Sequence, residues 1–260
     1  MEGLGGLDVA ENLLSTRITM MEKYERYARQ IILKEVGEPG QKKIQRARVL
    51  VIGAGGLGSP VLFYLAAAGI GTLGLMDDDV VSESNLQRQI LYDSISVGLP
   101  KVDIARRKLE LLNPACRIVP MNRRLTPENA GNIIPDYDVI VDATDNLSSR
   151  YVINDACVKY GKPFVYGSIC EFQGQVSVFN YQGGPTYRDL YPYTEDIHKF
   201  RQPAGVIGAL PGTVGSIQAA EVLKIILGNQ PVLSGKLLLI DLLQGTFRTM
   251  HIALSQPSQL

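Results

Sequence analysis

The fold of this chain is decided by an apolar run that ends in a glycine turn, Val49-Leu50-Val51-Ile52-Gly53-Ala54-Gly55-Gly56-Leu57-Gly58-Ser59. The spacing Gly53-x-Gly55-x-x-Gly58 is typical of a strand that turns into a helix at a nucleotide. The first glycine allows the tight turn, the second lets the backbone approach a phosphate, and the third lets the helix pack on the strand. Backbone N–H groups at the start of such a helix face the phosphates. The run therefore predicts a nucleotide site, and taken alone it favours a dinucleotide.

A loop rich in charge follows the next predicted strand. Asp77 stands directly after Gly71-Thr72-Leu73-Gly74-Leu75-Met76, where an acid can hold a ribose. It opens the segment Asp77-Asp78-Asp79-Val80-Val81-Ser82-Glu83-Ser84-Asn85-Leu86-Gln87-Arg88-Gln89, and Lys101 follows soon after. Carboxylates beside cations suit a triphosphate with a divalent metal, whereas a nicotinamide ring would need an apolar slot. The segment therefore favours ATP with magnesium, and the alternative is a solvated loop with stray charges.

Composition limits the class of protein. The chain has 260 residues, enough for one large α/β domain with a sizeable core. Its 26 basic and 26 acidic residues balance, which argues against nucleic acid or an anionic membrane as the main partner. The three cysteines, Cys116, Cys157 and Cys170, form no CxxC pair, so they predict neither a disulfide framework nor a zinc site. A reducing cytoplasm fits this usage best.

Strands and helices alternate through the first part of the chain, in the pattern of a doubly wound, Rossmann-like and mostly parallel sheet. Strands are predicted at Arg48–Ile52, Thr72–Asp77, Arg117–Met121, Asp138–Asp142 and Pro163–Ser168, and helices near Leu57–Ala68, Lys101–Leu112, Pro127–Ile134 and Leu147–Tyr160. The uncharged run from Val49 to Met76 is interrupted by glycines and Pro60. It is therefore interpreted as strand, helix and strand rather than as a membrane span.

The pattern changes after Gly167. Alternating apolar and polar residues predict antiparallel strands that extend the sheet, at Gly174–Tyr181, Lys236–Asp241 and Phe247–Leu254. Residues 183–203 have no period and predict a long mobile loop, a feature that is often functional, and Pro211–Leu227 predicts a buried helix. Residues 1–20 are weakly patterned and do not resemble a signal peptide. We expect a disordered extension over 1–20 and a single ATP-binding domain over 21–260.

A second acidic segment follows the predicted strand that ends at Asp142. It reads Asp142-Ala143-Thr144-Asp145-Asn146, and Arg150 comes shortly afterwards. Because the carboxyl ends of parallel strands share one edge of a sheet, Asp77 and Asp145 should converge with the glycine turn. Asp145 can then hold magnesium on the phosphates. The alternative is that Asp145 caps the helix that follows, which is a common role for aspartate.

These segments together resemble the ThiF/MoeB/HesA family, bacterial relatives of ubiquitin-activating enzymes. The resemblance covers roughly Tyr24 to Leu254 and rests on Arg26-Tyr27-Ala28-Arg29-Gln30, Gly53–Ser59, Asp77-x-Asp79 through Asn85-Leu86-Gln87-Arg88-Gln89, Lys101, Thr144-Asp145-Asn146 and Gly205–Gln218. The Asn-Leu-Gln-Arg-Gln and Arg-Tyr-x-Arg-Gln runs are far more specific than a glycine motif alone. The implied activity is ATP-dependent adenylation of the C-terminal glycine of a ubiquitin-like sulfur-carrier protein, ThiS- or MoaD-like and ending in Gly-Gly. Pyrophosphate leaves and an acyl-adenylate remains.

The resemblance also implies roles for individual residues. Asp77 would hold the ribose, Asp145 would hold magnesium, and Arg29 would reach across a homodimer into the partner's ATP site. The phosphates and their developing charge would be held by Asn85, Arg88 and Lys101. The remaining nucleotide contacts would come from Gly53, Gly55, Gly56, Gly58, Asp79 and Gln89. Because the attacking carboxylate is already ionised, catalysis would consist mainly of positioning and electrostatic stabilisation.

Two features depart from the family pattern. Relatives that bind zinc carry two cysteine pairs, but the place of the first pair, near Thr186 to Asp189, has no cysteine, and no second pair precedes Leu260. We therefore expect no structural zinc. Many relatives also have a cysteine just before the Ala-Gly-Val that is here 204–206, where this chain has Phe200-Arg201-Gln202-Pro203. We therefore expect adenylation without a covalent bond between an enzyme cysteine and the carrier.

Other interpretations remain. An NAD-dependent oxidoreductase would account for the glycine motif but leaves the cations Arg29, Arg88 and Lys101 without a role. A non-catalytic relative could bind carrier proteins without turnover, although the intact site residues argue against it. A relative that adenylates an RNA base amide is disfavoured by the balanced charge. The sequence leaves open whether the carrier serves thiamine, molybdopterin or another sulfur pathway.

Overall fold

The structure is a computed structural model that describes residues 25–193, 205–228 and 231–252. The chain divides into two compact units, one ending at Lys42 and the other beginning at Lys43. In the first unit a 3-10 turn, Glu25–Tyr27, leads into the short helix α1 (Ala28–Ile31). Helix α2 (Gly37–Arg46) follows.

The second unit is built around a single sheet with helices beside it. Its strands are β1 (Arg48–Ile52), β2 (Thr72–Met76), β3 (Arg117–Met121), β4 (Val139–Asp142), β5 (Phe164–Cys170), β6 (Gln173–Phe179), β7 (Lys236–Asp241) and β8 (Thr246–His251). Its α-helices are α3 (Gly58–Ala68), α4 (Lys101–Leu112), α5 (Pro127–Ala130), α6 (Leu147–Tyr160), α7 (Tyr187–Leu190) and α8 (Ala209–Leu227). Single 3-10 turns lie at Glu83–Asn85, Ser94–Ser96 and Ile134–Asp136.

The strand order is β3-β2-β1-β4-β5-β6-β7-β8. Strands β1 to β5 are parallel to their neighbours within this group, and the chain order reverses between β1 and β4. The core strands β1 and β4 are buried over almost their whole length, which explains their continuous apolar sequence. In a sheet of this kind the ligand crevice lies outside the carboxyl ends of the strands where the order reverses. The predicted doubly wound class is confirmed.

Strands β6, β7 and β8 extend the sheet in antiparallel fashion. The predicted antiparallel extension is therefore confirmed, with β6 one residue earlier at its start and β8 ending at His251. Most of β8 is exposed, in keeping with its place at the edge of the sheet. Residues 253–254 of the predicted last strand lie outside the described residues.

Helix α8 packs on α3 and on strands β4, β5 and β6. Among the described residues it is the one helix long and apolar enough to cross a bilayer, but half of that apolar window is buried inside the protein. It contributes buried side chains such as Leu210, Val214 and Val222. A helix with these contacts is part of the core, as its sequence predicts.

Two predicted elements differ from the structure. The helix predicted over Pro127–Ile134 is only the short α5 followed by a 3-10 turn, because Gly131 weakens the helix and Pro135 has no N–H to continue its hydrogen bonds. The segment predicted as a loop over 183–203 contains helix α7, whose buried Tyr187 anchors it. A four-residue helix is too short to show a period. Residues 194–203 of that predicted mobile loop lie outside the described residues.

Candidate active site

A cleft of about 350 Å³ opens at the carboxyl ends of β1, β2 and β4. Its size lies in the range of ordinary small-molecule sites. All residues predicted for the nucleotide site in this unit line it, apart from Gly58: Gly53, Gly55, Gly56, Asp77, Asp79, Asn85, Arg88, Gln89, Lys101 and Asp145. The sheet topology thus brings together residues that are far apart in sequence.

The glycine turn needs glycine at two positions, because a side chain there would clash with the backbone of the protein itself. Gly53 has a φ of +99°, and a Cβ there would lie 2.5 Å from the carbonyl oxygen of Ala143. A Cβ on Gly58 would overlap the carbonyl oxygen of Gly53. Gly55 is different, because its nearest neighbour for an added Cβ is Nε2 of Gln89 at 3.4 Å, an ordinary contact. Gly55 is half-buried and lines the cleft, where the motif predicts that the backbone approaches a phosphate.

Asp77 braces the glycine turn. Its Oδ2 accepts a hydrogen bond from the backbone N–H of Ala54 at 2.7 Å, and its Oδ1 accepts one from the N–H of Asp79 at 2.9 Å. The buried hydroxyl of Tyr92 donates to the carbonyl of Ala54 from the other side, at 2.8 Å. Burial raises the pKa of Asp77, and the charge of Lys101 opposes this rise. Asp77 is half-buried in the cleft wall, and its contact with a ribose stays a prediction.

Lys101 and Asp79 form an ion pair in which only the lysine is buried. Lys101 Nζ lies 2.8 Å from Asp79 Oδ2, and the exposed fractions of the two side chains are 5% and 62%. Arg88 is half-buried nearby, and its Nη1 donates to the carbonyl of Ser84 at 3.0 Å. Because Asp79 remains in water, Lys101 can exchange it for a phosphate oxygen without leaving a buried charge behind.

Two amides of the Asn-Leu-Gln-Arg-Gln run, Asn85 and Gln89, line the cleft in different environments. Asn85 Oδ1 accepts from the N–H of Ser82 at 3.3 Å and so helps to close the turn. Gln89 is buried, and its Oε1 has no hydrogen-bond partner among the described residues. Buried acceptors are nearly always bonded to protein, water or ligand. Since Gln89 lines the cleft, its orphaned oxygen fits the presence of a polar ligand.

The second acidic turn, Asp142 to Asn146, follows β4. Asn146 caps helix α6 by accepting from the N–H of Ser149 at 2.9 Å, so the cap predicted as an alternative for Asp145 belongs to its neighbour. Asp142 is fully buried, and its Oδ1 accepts from the N–H and the hydroxyl of Thr144 at 3.0 and 2.7 Å. Asp145 is exposed at the cleft. An exposed carboxylate there fits the donor chemistry of magnesium.

A group of three carboxylates also lines the cleft. Asp77, Asp78 and Asp79 bring ligand oxygens within 4.8 Å of one another, the one group of its kind in the described part of the chain. Asp79 is engaged by Lys101 and Asp77 by backbone N–H groups. Asp145, which is exposed at the same cleft, stays the predicted magnesium ligand.

Several cleft residues were not predicted from the sequence, and among them are Arg123, Arg124, Ser168 and Ile169. Arg150, noted with the second acidic segment but given no role there, also lines the cleft. Arg123 and Arg124 follow strand β3, so the rule that found Asp77 and Asp145 could have found them. Arg124 Nε lies 3.3 Å from Asp78 Oδ2 in an exposed ion pair. Ser168 ends the predicted strand Pro163–Ser168, so the same rule could have found it, whereas no sequence signal marks Ile169.

A second groove of about 430 Å³ shares Ser168 and Ile169 with the cleft. It runs beside β5, β6 and β7 and is also lined by Cys170, Gln173 and Arg248. Cys170 is exposed, whereas the other two cysteines are buried. Burial raises the pKa of Cys116 to about 12 and raises that of Cys157 as well, so neither is a ready nucleophile.

Arg29 belongs to the unit that ends at Lys42. It is exposed on the short helix α1. Its role toward a partner's site stays a prediction. The segment Phe200-Arg201-Gln202-Pro203, where relatives often carry a cysteine, lies outside the described residues.

The strand order and the glycine turn at the carboxyl edge define a nucleotide-binding α/β protein, and the cations of the cleft suit phosphates. Comparison with known proteins is more specific. The ThiF family model matches residues 27–260, and the chain belongs to the ThiF family. A sulfur carrier protein adenylyltransferase of Thermus thermophilus is 48% identical over 238 residues, which are 89% of this chain and 88% of the relative.

Longer relatives match as well. An adenylyltransferase and sulfurtransferase MOCS3 of Aedes aegypti is 50% identical over 87% of this chain and 52% of its own length. A probable molybdopterin-synthase adenylyltransferase of Porphyra purpurea is 46% identical over 92% of this chain and 65% of its own length. The chain thus spans about half to two thirds of these relatives. The solved structure of E. coli MccB with ATP has a TM-score of 0.79 at 23% identity, covering 88% of this chain and 72% of MccB, and shows the same fold.

Proposed function

We propose that this chain adenylates the C-terminal glycine of a ubiquitin-like sulfur-carrier protein at the expense of ATP. One observation carries the proposal. The glycine turn, the buried cation Lys101 and the exposed carboxylate of Asp145 line a single cleft. This combination suits a triphosphate with a divalent metal better than a nicotinamide cofactor. The name of the Thermus thermophilus relative, which matches over most of both chains, supports the same reaction.

The reaction requires little proton transfer. A carboxylate oxygen of the terminal glycine attacks the α-phosphorus of ATP and forms the acyl–phosphate bond. The bond from that phosphorus to the bridging oxygen breaks, and pyrophosphate leaves with its electron pair. Lys101 and Arg88 are suited to neutralise the charge on the phosphates, and Asn85 and Gln89 to hold the nucleotide. Magnesium, held at Asp145, would screen charge on the leaving group.

The carrier is proposed to end in Gly-Gly and to resemble ThiS or MoaD. Names of relatives that mention molybdopterin synthase favour the molybdopterin pathway, and the thiamine pathway remains the second choice. The groove that shares Ser168 and Ile169 with the cleft is a suitable route for an extended peptide tail. We further propose that residues 21–260 act as one cytoplasmic adenylation domain and that no cysteine of this chain bonds to the carrier.

The proposal is tested by ATP–pyrophosphate exchange with magnesium and a candidate carrier. The wild type should support exchange and should not reduce or oxidise a nicotinamide cofactor. Asp145→Ala should fold normally and lose most of the exchange, because the metal loses its ligand. Asp103→Ala removes an exposed acid of helix α4 away from the cleft and serves as the matched control. Full exchange by Asp145→Ala would disprove the role given to that residue.

We also propose that the chain works as a homodimer and that Arg29 acts in the partner's site. The support is the family resemblance of the Arg-Tyr-x-Arg-Gln run. Mixed dimers of Arg29→Ala and Asp145→Ala subunits should regain part of the exchange, since one of the two sites then has both residues. Verified mixed dimers that stay inactive would show that Arg29 acts within its own chain or not at all.

A further inference from the structure

Arg150 is a charged residue in the first turn of helix α6 that the proposed reaction does not yet use. Arg150 is only 8% exposed, yet it forms part of the cleft lining. A buried charge costs free energy unless other groups compensate it. The groups that compensate the charge of Arg150 therefore indicate which part of the structure it stabilises.

The guanidinium of Arg150 connects two strands and the second acidic turn. Its Nε lies 3.6 Å from Oδ2 of the fully buried Asp142, an ion pair that is too long for a hydrogen bond. Its Nη2 donates to the carbonyl of Thr144 at 3.3 Å and to the hydroxyl of Ser168 at 3.2 Å. The same group lies over the ring of Tyr166, 5.2 Å from its centre. One side chain thus joins the end of β4, the turn after it, and β5.

These contacts leave the turn little freedom on either side of Asp145. The carbonyl of Thr144 is held by Arg150, and its N–H and hydroxyl are held by Asp142. On the other side, Asn146 is bonded to the N–H of Ser149 as the cap of α6. The backbone that presents the Asp145 carboxylate to the cleft is therefore positioned through Asp142 and Arg150.

An arginine suits this task better than a lysine. The planar guanidinium offers donors in fixed directions, and it can face a carbonyl, a hydroxyl and a carboxylate while it stacks on an aromatic ring. A lysine would keep the charge beside Asp142 but would have to give up part of the contacts to Thr144 and Ser168. Groups that orient a metal ligand commonly change metal affinity or activity about 10- to 100-fold when they are removed.

We propose that Arg150 is a positioning residue that sets where Asp145 holds the magnesium ion of Mg·ATP. This inference rests on the proposed function, because it assumes that Mg·ATP occupies the cleft. It goes further by assigning the geometry of the metal ligand to a buried residue that acts through Thr144 and Asp142. It also predicts that the effect appears in the magnesium dependence of binding and not in the binding of ATP alone.

The experiment compares binding of ATP with and without magnesium by calorimetry, in the absence of any carrier. The main variant is the double substitution Asp142→Asn with Arg150→Met, which removes both buried charges and keeps an oxygen at 142 for Thr144. Arg150→Lys is the second variant, which keeps the charge and decides the result if the double variant does not fold. Arg188→Met is the matched control. Arg188 lies on α7, away from the cleft lining, and pairs at 2.7 Å with Asp155, which is on the same helix α6 as Arg150.

We expect both Arg150 variants to bind metal-free ATP like the wild type. Magnesium should increase their affinity for ATP about 10- to 100-fold less than it does in the wild type. Arg188→Met should keep the wild-type magnesium dependence. A folded Arg150 variant with unchanged magnesium dependence would overturn the positioning role while the proposed function stands. A wild type that does not bind Mg·ATP would overturn the proposed function, and this inference with it.

Discussion

The two acidic turns of the cleft are built from the same kinds of residue and are held in opposite ways. After β2, the buried Lys101 pairs with an exposed carboxylate of Asp79 at 2.8 Å. After β4, Arg150 pairs with Asp142 at 3.6 Å, and both side chains are buried. The first pair can open toward water or a phosphate, whereas the second cannot open without stranding a charge in the core.

This difference separates a pair that is available for chemistry from one that holds structure. A cation whose partner is solvated can change partner at low cost, because water takes over the released carboxylate. When only one member of a buried pair is removed, the free energy of unfolding of the protein falls by several kcal/mol. We therefore expect the turn after β2 to supply a phosphate-binding cation and the turn after β4 to supply a fixed scaffold for Asp145.

The largest expected effect is on stability, and it tests whether the two ion pairs differ. Arg150→Met should lower the free energy of unfolding by about 3–5 kcal/mol, because it leaves Asp142 buried without its counter-charge. Lys101→Met keeps an apolar side chain of similar length, leaves Asp79 in water and leaves Asp77 its two backbone hydrogen bonds, so its loss should be smaller, about 1 kcal/mol. Chemical denaturation of both variants measures the contrast. Equal losses would show that the two pairs are held alike.

The second expected effect is on activity, and it tests whether the pair after β2 takes part in the reaction. Lys101→Met should reduce ATP–pyrophosphate exchange by about 10²- to 10³-fold, the usual result of removing one group that stabilises developing charge. Its fold should remain intact for the reason just given. Asp79→Asn tests whether the exposed partner matters, and we expect a smaller loss because Lys101 keeps its charge. Near-normal exchange by Lys101→Met would exclude it from the phosphate site.

The sequence predicted the first turn better than the second. Asp77, Asp79, Arg88 and Lys101 lie close together in sequence and follow a glycine motif, so both the site and its charges could be read from spacing. The parallel strands were also predictable, because burial on both faces demands continuous apolar runs. The bond from Arg150 to Ser168 joins helix α6 to strand β5 across 18 residues of sequence, and no local pattern encodes it. Helix α7 was missed because tertiary packing of Tyr187, rather than periodicity, stabilises it.

A smaller effect concerns the glycine turn, which touches both acidic turns. Gly53→Ala would strain a backbone at φ +99° and press a Cβ against the carbonyl of Ala143 in the second turn. We expect a loss of about 1–3 kcal/mol in stability together with weaker binding of Mg·ATP. Gly55→Ala places its methyl group in ordinary contact with the Gln89 side chain and should fold normally, yet it should bind Mg·ATP poorly because the added group narrows the cleft at the glycine turn. Normal binding by Gly55→Ala would remove Gly55 from the phosphate site.

The smallest effect comes from a third acid–cation pair, which lies outside the cleft and serves as a reference for the other two. Asp93 Oδ2 lies 2.8 Å from Lys108 Nζ, and both side chains are substantially exposed. Hydrogen bonds from Lys108 and Ser96 lower the pKa of Asp93 from 3.8 to about 2. Because the pKa is lower in the folded protein than in the unfolded chain, the stabilising contribution is present above pH 3.8 and is lost as the pH falls toward 2.

Asp93→Asn should therefore lower the melting temperature slightly at neutral pH, and its difference from the wild type should vanish near pH 2 and shrink in high salt. Asp142→Asn should show the opposite trend with pH, because burial raises the pKa of Asp142 despite the opposing charge of Arg150. Relative to that variant, the wild type should lose stability as the pH rises above 3.8, the ordinary pKa of an aspartate. Melting curves of the three proteins between about pH 2 and pH 7 measure both trends. Parallel trends would show that the buried pair after β4 responds to protons like a surface pair, which would remove the basis for treating it as a fixed scaffold.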